Sequence, residues 1–242
     1  MWLAAIPLEE AGFAFPRQMF RDAVAIRMGL PLPDPLPALC PSCGKGEVDL
    51  AHYLKCSDGG WVRRRHTEVL KELARLMGEV CETVVEEPRL GPVIGPPFAN
   101  KNTSTDPEAR ADILARGFFQ PQQDAFFDVT IVDTAKKSAL DHGRSPAGVL
   151  VRAQQDKRDK YDERVQRLGG TFTPFAASVY GTLAPESERV LLTLVKKLTK
   201  EKGERAASEA CVRTRIQVAI VKATSMCIRS RAHNYNHFGA ID

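Results

Sequence analysis

Asp112 and Asp128 each sit in a short apolar run, Ala109 to Leu114 and Ala125 to Val132, and Asp156-Lys157-Arg158-Asp159-Lys160-Tyr161 follows downstream. An ionised carboxylate in such surroundings is costly unless it is paired or binds a cation. Two such acids close together in the chain, with lysines beyond them, are the residue types of a metal-dependent phosphodiester hydrolase. Hard carboxylate oxygens suit Mg²⁺ or Mn²⁺. The metal activates water and neutralises charge growing on the phosphate, and an ammonium group reinforces it. Alternate residues of a strand share a face, so Asp128 and Thr130 are expected on one side with Phe126 and Val132, and Phe127, Val129 and Ile131 on the other. Metal nucleases often carry an acid on one strand and acid-x-lysine on the next; here Thr130 stands in the lysine's slot.

The missing cation is expected from the following helix. Leu150, Ala153, Lys157, Tyr161, Val165 and Leu168 recur every three or four residues, so Lys157 interrupts a buried stripe, and Lys160 flanks it at i+3. Glu87, just before Pro88 at the end of a strand, is the candidate third carboxylate, while Glu86 faces the opposite way. The competing reading makes Asp112 and Asp128 structural ions paired with arginines such as Arg110 and Arg116.

Cys40, Cys43, His52 and Cys56 form a second constellation. Three thiolates and one imidazole complete a tetrahedral shell for structural Zn²⁺, with Cys-x-x-Cys making a tight knuckle and Gly44 and Gly46 permitting the turn behind it. Cys81, Cys211 and Cys227 read as isolated thiols. Clustered cysteines in a chain of this kind suggest metal rather than disulfides and a reducing compartment, nucleus or cytoplasm. Arg63, Arg64 and Arg65, at the start of the next helix, are candidates to grip phosphates. His66 reads as a hydrogen-bonded core or supporting histidine, and His233 and His237 in the polar tail are given no role.

These residues need elements to position them. Periodicity predicts a helix over 15–29 stopped by Gly29, an extended proline-rich stretch over 31–37, and a helix over 62–78 with His66, Val69, Leu70, Leu73, Leu76 and Met77 on one stripe. A β-branched strand over 81–86, a long loop over 91–106, and two Asp-bearing strands joined as a hairpin through 120–124 come next. A helix over 146–168 ended by Gly169-Gly170, a strand over 171–180, and two basic helices over 186–201 and 205–230 complete the chain. The expected fold is α/β, a small mixed central sheet flanked by helices. Its expected parts are an N-terminal helix and linker (1–37), a zinc knuckle (38–61), a nuclease core (62–181) and a basic helical extension (182–242).

With 43% apolar and 26% charged residues among 242, the composition is that of a folded protein rather than a disordered one. The net charge of +4 is mild, but eleven Lys/Arg against four Asp/Glu lie between Glu188 and Arg231, compatible with a phosphate-facing surface or with a solvated helix face. Met1 to Glu10 lacks the basic region of a signal peptide, and no apolar run approaches the ~20 residues of a membrane span, so secretion and membrane partners are not expected.

Taken in order, the Cys-x-x-Cys…His-x-x-x-Cys knuckle, Gly59-Gly60, Arg65-His66, Glu87-Pro88, Asp112, Phe127-Asp128-Val129 and Lys157-Arg158-Asp159-Lys160-Tyr161 resemble the C-terminal region of early-branching, site-specific non-long-terminal-repeat retrotransposon polyproteins. The resemblance covers about residues 38–181. It implies a restriction-endonuclease-like core that nicks target DNA so that a reverse transcriptase, in cis or in trans, primes on the free 3′ end. It further implies Asp112 and Asp128 as Mg²⁺ or Mn²⁺ ligands, Lys157 and Lys160 as catalytic or phosphate-binding, and a knuckle that binds DNA or RNA. Ala111 departs from the pattern, standing where a proline usually precedes the first acid and shapes its turn. The alternative is a zinc-dependent nucleic-acid-binding module with an inactive core, the remnant of a retroelement.

Overall fold

The computed structural model describes residues 2–4, 9, 10, 12–46, 48–92, 94–135, 143–199 and 204–232. Helix α1 (Arg17–Met28) is closed by Gly29, whose left-handed φ of 66° lets its N–H turn back onto the Ala25 and Ile26 carbonyls. A short α2 (Leu50–Lys55) is capped by Asp49, which accepts the His52 N–H. Helix α3 (Trp61–Gly78) follows; its stripe is buried as expected, with Val69, Leu73, Leu76 and Met77 fully inaccessible.

Four strands lie side by side in chain order: β1 (Thr83–Glu86), β2 (Ile113–Arg116), β3 (Asp124–Val132) and β4 (Thr171–Ser178). The first three are antiparallel, and β2 and β3 form the expected hairpin with Ile113 opposite Phe127. β3 and β4 are parallel, and such a pair needs a crossover. Helix α4 (Pro146–Arg167) supplies it, started by a Ser145 side chain that accepts the Gly148 N–H and by proline in the first turn. Pro174 is tolerated because β4 is an edge strand. Helices α5 (Pro185–Leu198) and α6 (Arg205–Ala232) end the described chain.

The sheet separates two apolar layers. On one face Ile113, Phe127, Val129 and Phe175 pack with Leu73 and Met77 of α3, Leu191 and Leu194 of α5, and Ile216 and Ile220 of α6. On the other, Phe126 and Phe172 pack with Tyr161 and Val165 of α4. Each such buried aliphatic or aromatic side chain stabilises the fold by about 1.5–3 kcal/mol. The alternation expected for β3 is therefore realised, and residue 128 comes to lie on the α4 side.

Several expectations change. β1 begins at Thr83 because the Cys81 N–H still bonds the Met77 carbonyl in the last turn of α3. Asp112 lies just before β2 rather than inside a strand, although its N–H continues the ladder to Phe127. Leu168, assigned to the buried stripe, is 40% exposed past the end of α4. Residues 182–242, expected as an appended basic extension, contribute α5 and α6 to the main core. Three of the α6 arginines are spent inside the fold: Arg213 pairs with Glu188 and Glu209, Arg215 with Glu72 and Glu79, and the buried Arg229 with Asp22 at 2.6 Å. Part of the positive charge that reads as a phosphate-facing stripe in sequence is therefore neutralised within the fold, by Glu72, Glu79 and Asp22 from distant elements and by Glu188 and Glu209 nearer in the chain. Among the described residues no helix is long and apolar enough to cross a membrane.

Candidate functional site

At one end of the sheet β3 runs past the start of β2, leaving the Val129 N–H without a strand partner. The Asp112 carboxylate fills that place, its Oδ2 accepting the Val129 N–H at 2.6 Å. The same oxygen meets His66 Nε2 at 2.9 Å, one turn into α3. Asp128, whose side chain is only 5% exposed, meets Lys157 Nζ at 2.7 Å across the gap to α4. These four side chains open on one cavity of about 330 Å³, lined also by Arg65, Arg110, Thr130 and Tyr161.

The electrostatics follow from this crowding. Burial, then the neighbouring Asp112 charge, push the Asp128 carboxyl above its ordinary range, against the pull of Lys157. Burial alone would lower Lys157, but the charge and hydrogen bond of Asp128 outweigh it and raise the ammonium. His66 behaves alike: burial lowers it, while the hydrogen bond and charge of Asp112 and the charge of Asp128 carry it above the usual imidazole value. Two acids are thus held close in a partly buried place, balanced by one ammonium and one imidazole.

The arginine-paired alternative does not describe these acids. Arg116 forks onto Asp124 at 2.7 and 3.1 Å, and Arg110 lies 4.0 Å from Glu87. Asp112, Asp128 and Lys157 are brought together, and Thr130 shares their cavity. Lys160 is not among the lining residues; it is exposed, with its ammonium 4.8 Å from the centre of the Tyr161 ring. Glu87 is likewise turned away, its side chain 60% exposed. The strand alternation that placed it at the site fails because Glu87 takes a left-handed φ of 51°, which redirects its side chain. Arg63 and Arg64 are exposed, the latter stacked on Trp61, but Arg65 is 4% exposed and donates to the Leu54 carbonyl. It faces inward and is not a surface phosphate grip. His66, read from sequence as a hydrogen-bonded core or supporting histidine, is hydrogen-bonded to Asp112 of the cavity. The available signal was a polar residue on an otherwise apolar helical stripe; its partner 46 positions away was not visible. His233 and His237 lie outside the described residues.

The Cys40, Cys43, His52 and Cys56 ligand atoms all lie within 4.8 Å of one another, so the cluster can hold a zinc ion. Cys40 and Cys43 occupy a turn in which the Gly44 N–H returns to the Cys40 carbonyl, His52 projects from α2, and Cys56 caps that helix. Burial pushes the Cys40 thiol up, but the Cys43 N–H, the His52 ring and the Ser42 N–H together hold it at about 6, which favours the thiolate, the form that a metal requires, at neutral pH.

In comparisons with known proteins, no family model matches the chain and no curated protein matches it.

Proposed function

We propose that this protein is a divalent-metal-dependent endonuclease with a restriction-like core, cutting DNA phosphodiesters. The single observation that carries this reading is the convergence of Asp112, Asp128, His66 and Lys157 on one open cavity. The donor set fits a hard cation. Asp112 engages the Val129 N–H and His66 through Oδ2 alone, and Asp128 meets Lys157 through Oδ2, so an Oδ1 of each acid has no hydrogen bond among the described residues. Asp112 and Asp128 would hold Mg²⁺ or Mn²⁺, which when bound supplies an activated water and neutralises charge on the phosphate.

The other roles belong to the chain's own groups. The His66 ring and the Val129 N–H hold the Asp112 carboxylate in one orientation. Lys157 keeps a positive charge in the cavity, where a phosphate oxygen gaining negative charge finds it already in place. Tyr161, buried beside it, gives the lysine stem an aromatic wall, with Nζ 6.0 Å from the ring centre. The Cys/His cluster would carry structural zinc. By the resemblance noted above, the biological outcome is a nick whose 3′ end primes a reverse transcriptase supplied in cis or in trans.

The deciding experiment incubates the zinc-loaded protein with supercoiled plasmid and Mg²⁺ or Mn²⁺, beside Asp128→Ala. Conversion to open circles by the wild type alone supports the reading. DNA binding that weakens steeply with salt, without cutting by either protein, supports the nucleic-acid-binding module instead.

A further inference from the structure

The Cys/His segment is built into the body of the protein. Tyr53 and Leu54, between the ligands His52 and Cys56, are buried against Val179 beyond β4 and Ile228 of α6. Ser42, in the turn between the two first cysteines, approaches Gly59 so closely that a Cβ there would stand 2.8 Å from the Ser42 hydroxyl. With a φ of 80° as well, Gly59 is a place where only glycine joins the turn to α3 without strain.

Arg65 makes a second tie. Its Nη1 donates at 3.1 Å to the carbonyl of Leu54, near the C-terminal end of α2, where helix carbonyls have no partner within the helix. Six residues are too few for α2 to be stable by itself, so its order depends on packing and on whatever holds His52 and Cys56. Arg65 also lines the acidic cavity and immediately precedes His66, which holds Asp112.

From this line of contacts we infer that Arg65 is a positioning residue. It ties the zinc-holding segment to the His66–Asp112 pair, so that metal at the Cys/His cluster orders the carboxylate cavity as well as its own turn. The consequence for cleavage rests on the nuclease reading; the physical coupling does not. A nucleic-acid-binding finger hung on the core would instead let zinc change DNA affinity while leaving the cavity untouched.

The coupling is read without cleavage, by hydrogen–deuterium exchange of the full chain at fixed pH. The reporter is the Val129 amide, which donates to Asp112, and amides of α6 between Val212 and Ile220 serve as the global control. Stripping zinc with a chelator should speed Val129 exchange about tenfold or more with the control protected. Zinc-loaded Arg65→Leu should show the same increase, with little added by stripping it. Unchanged Val129 protection on zinc removal, or an Arg65→Leu protein that matches wild type, overturns the inference. If stripping exposes the control amides as well, the zinc-loaded variants decide. Arg65→Lys should then keep more Val129 protection than Arg65→Leu, and equal protection in wild type and both variants overturns the inference. A protein showing the coupling but never nicking DNA refutes the nuclease reading alone; one that nicks with Val129 indifferent to zinc and to Arg65 refutes the coupling alone.

Discussion

Lys157 and Arg158 are neighbours on α4, and each reaches a sheltered carboxylate on another element, yet the surroundings of the two pairs differ. Arg158 forks onto Glu186 at the start of α5, and Gln154 completes the cluster by donating to the same carboxylate and accepting the Glu186 N–H at 3.0 Å. Asp162 takes another Arg158 N–H at 3.3 Å. Glu186 also stands where a helix N-terminus favours negative charge. Every strong group there has a partner, which is the condition under which a sheltered ion pair holds a fold together. Asp128 has one lysine, a second acid pressing on it, and open space beside it. A satisfied network holds elements together; two crowded acids that keep carboxylate oxygens free beside a cavity are what the nuclease reading proposed above takes as the place for a cation.

Cleavage should separate the two pairs most strongly. Asp128→Ala and Lys157→Ala are expected to lower the plasmid-nicking rate by roughly 10²–10³-fold, as loss of a group that meets developing charge does. Glu186→Gln should cut at close to the wild-type rate once corrected for the folded fraction. If it abolishes nicking while remaining folded, the division between a structural and a functional pair is wrong.

Stability should separate them in the opposite sense. Glu186→Ala leaves Arg158 and Gln154 with unmet donors in a sheltered place and is expected to cost about 3 kcal/mol. In a protein of this length that lowers the thermal midpoint by roughly 6–12 °C. Denaturant and thermal unfolding of Glu186→Ala and Asp128→Ala, measured side by side, test this; equal losses would erase the contrast.

A smaller effect has a sign that sharpens the comparison. The Asp128 carboxyl is raised in the folded protein, so the native state holds its proton to higher pH than the unfolded chain does. Metal-free stability contributed by this group is therefore greatest below the unfolded value of about 3.9 and falls as pH climbs toward the folded value. At pH 7 in the zinc-loaded protein without added Mg²⁺, Asp128→Asn should unfold at a higher temperature than wild type, and the gap should close as pH falls. Addition of Mg²⁺ should raise the wild type and leave the variant behind. A lower midpoint for the Mg²⁺-free variant would mean that Lys157 fully compensates Asp128, as a structural partner does.

How much of this was legible in sequence depends on the range over which each feature is determined. Asp128, Lys157 and the four zinc-ligand candidates follow from local rules: alternation in a strand, a step of three or four in a helix, the spacing of a tight turn. The five longer helices and the β2–β3 hairpin were legible for the same reason, whereas the six-residue α2 was not, being too short to show a helical period. Glu87 failed because one left-handed residue ended the alternation, and no neighbouring residue type announces it. The roles of Arg65, Arg215 and Arg229 were hidden because their partners are set by packing: Glu72 lies 143 positions from Arg215, and Asp22 lies 207 from Arg229. A basic stretch looks the same in sequence whether its acids are solvent ions or distant side chains.

The long loop over residues 91–106 extends the contrast to a group whose contribution is the smallest. Glu163, on α4 six positions after Lys157, accepts the Asn100 N–H at 2.9 Å and the Ala99 N–H at 3.0 Å and is met by Arg167. The Asn100 N–H, then that of Ala99, and lastly Arg167 hold its carboxyl below the usual range. A depressed carboxyl contributes above its unfolded value of about 4.3, and that contribution is lost as pH falls through the folded value. Arg164 binds the same loop through the Ser104, Asp106, Leu90 and Gly91 carbonyls, so the loop should loosen locally without the domain opening. Hydrogen exchange of Ala99 and Asn100, compared with Glu163→Gln at each pH to cancel the intrinsic pH dependence of exchange, should show a wild-type advantage at pH 6 that shrinks as pH falls below the unfolded value and through the lower folded one. An advantage that persists in acid would show that the Glu163 side chain orders the loop without its charge, unlike the charged Arg158–Glu186 pair.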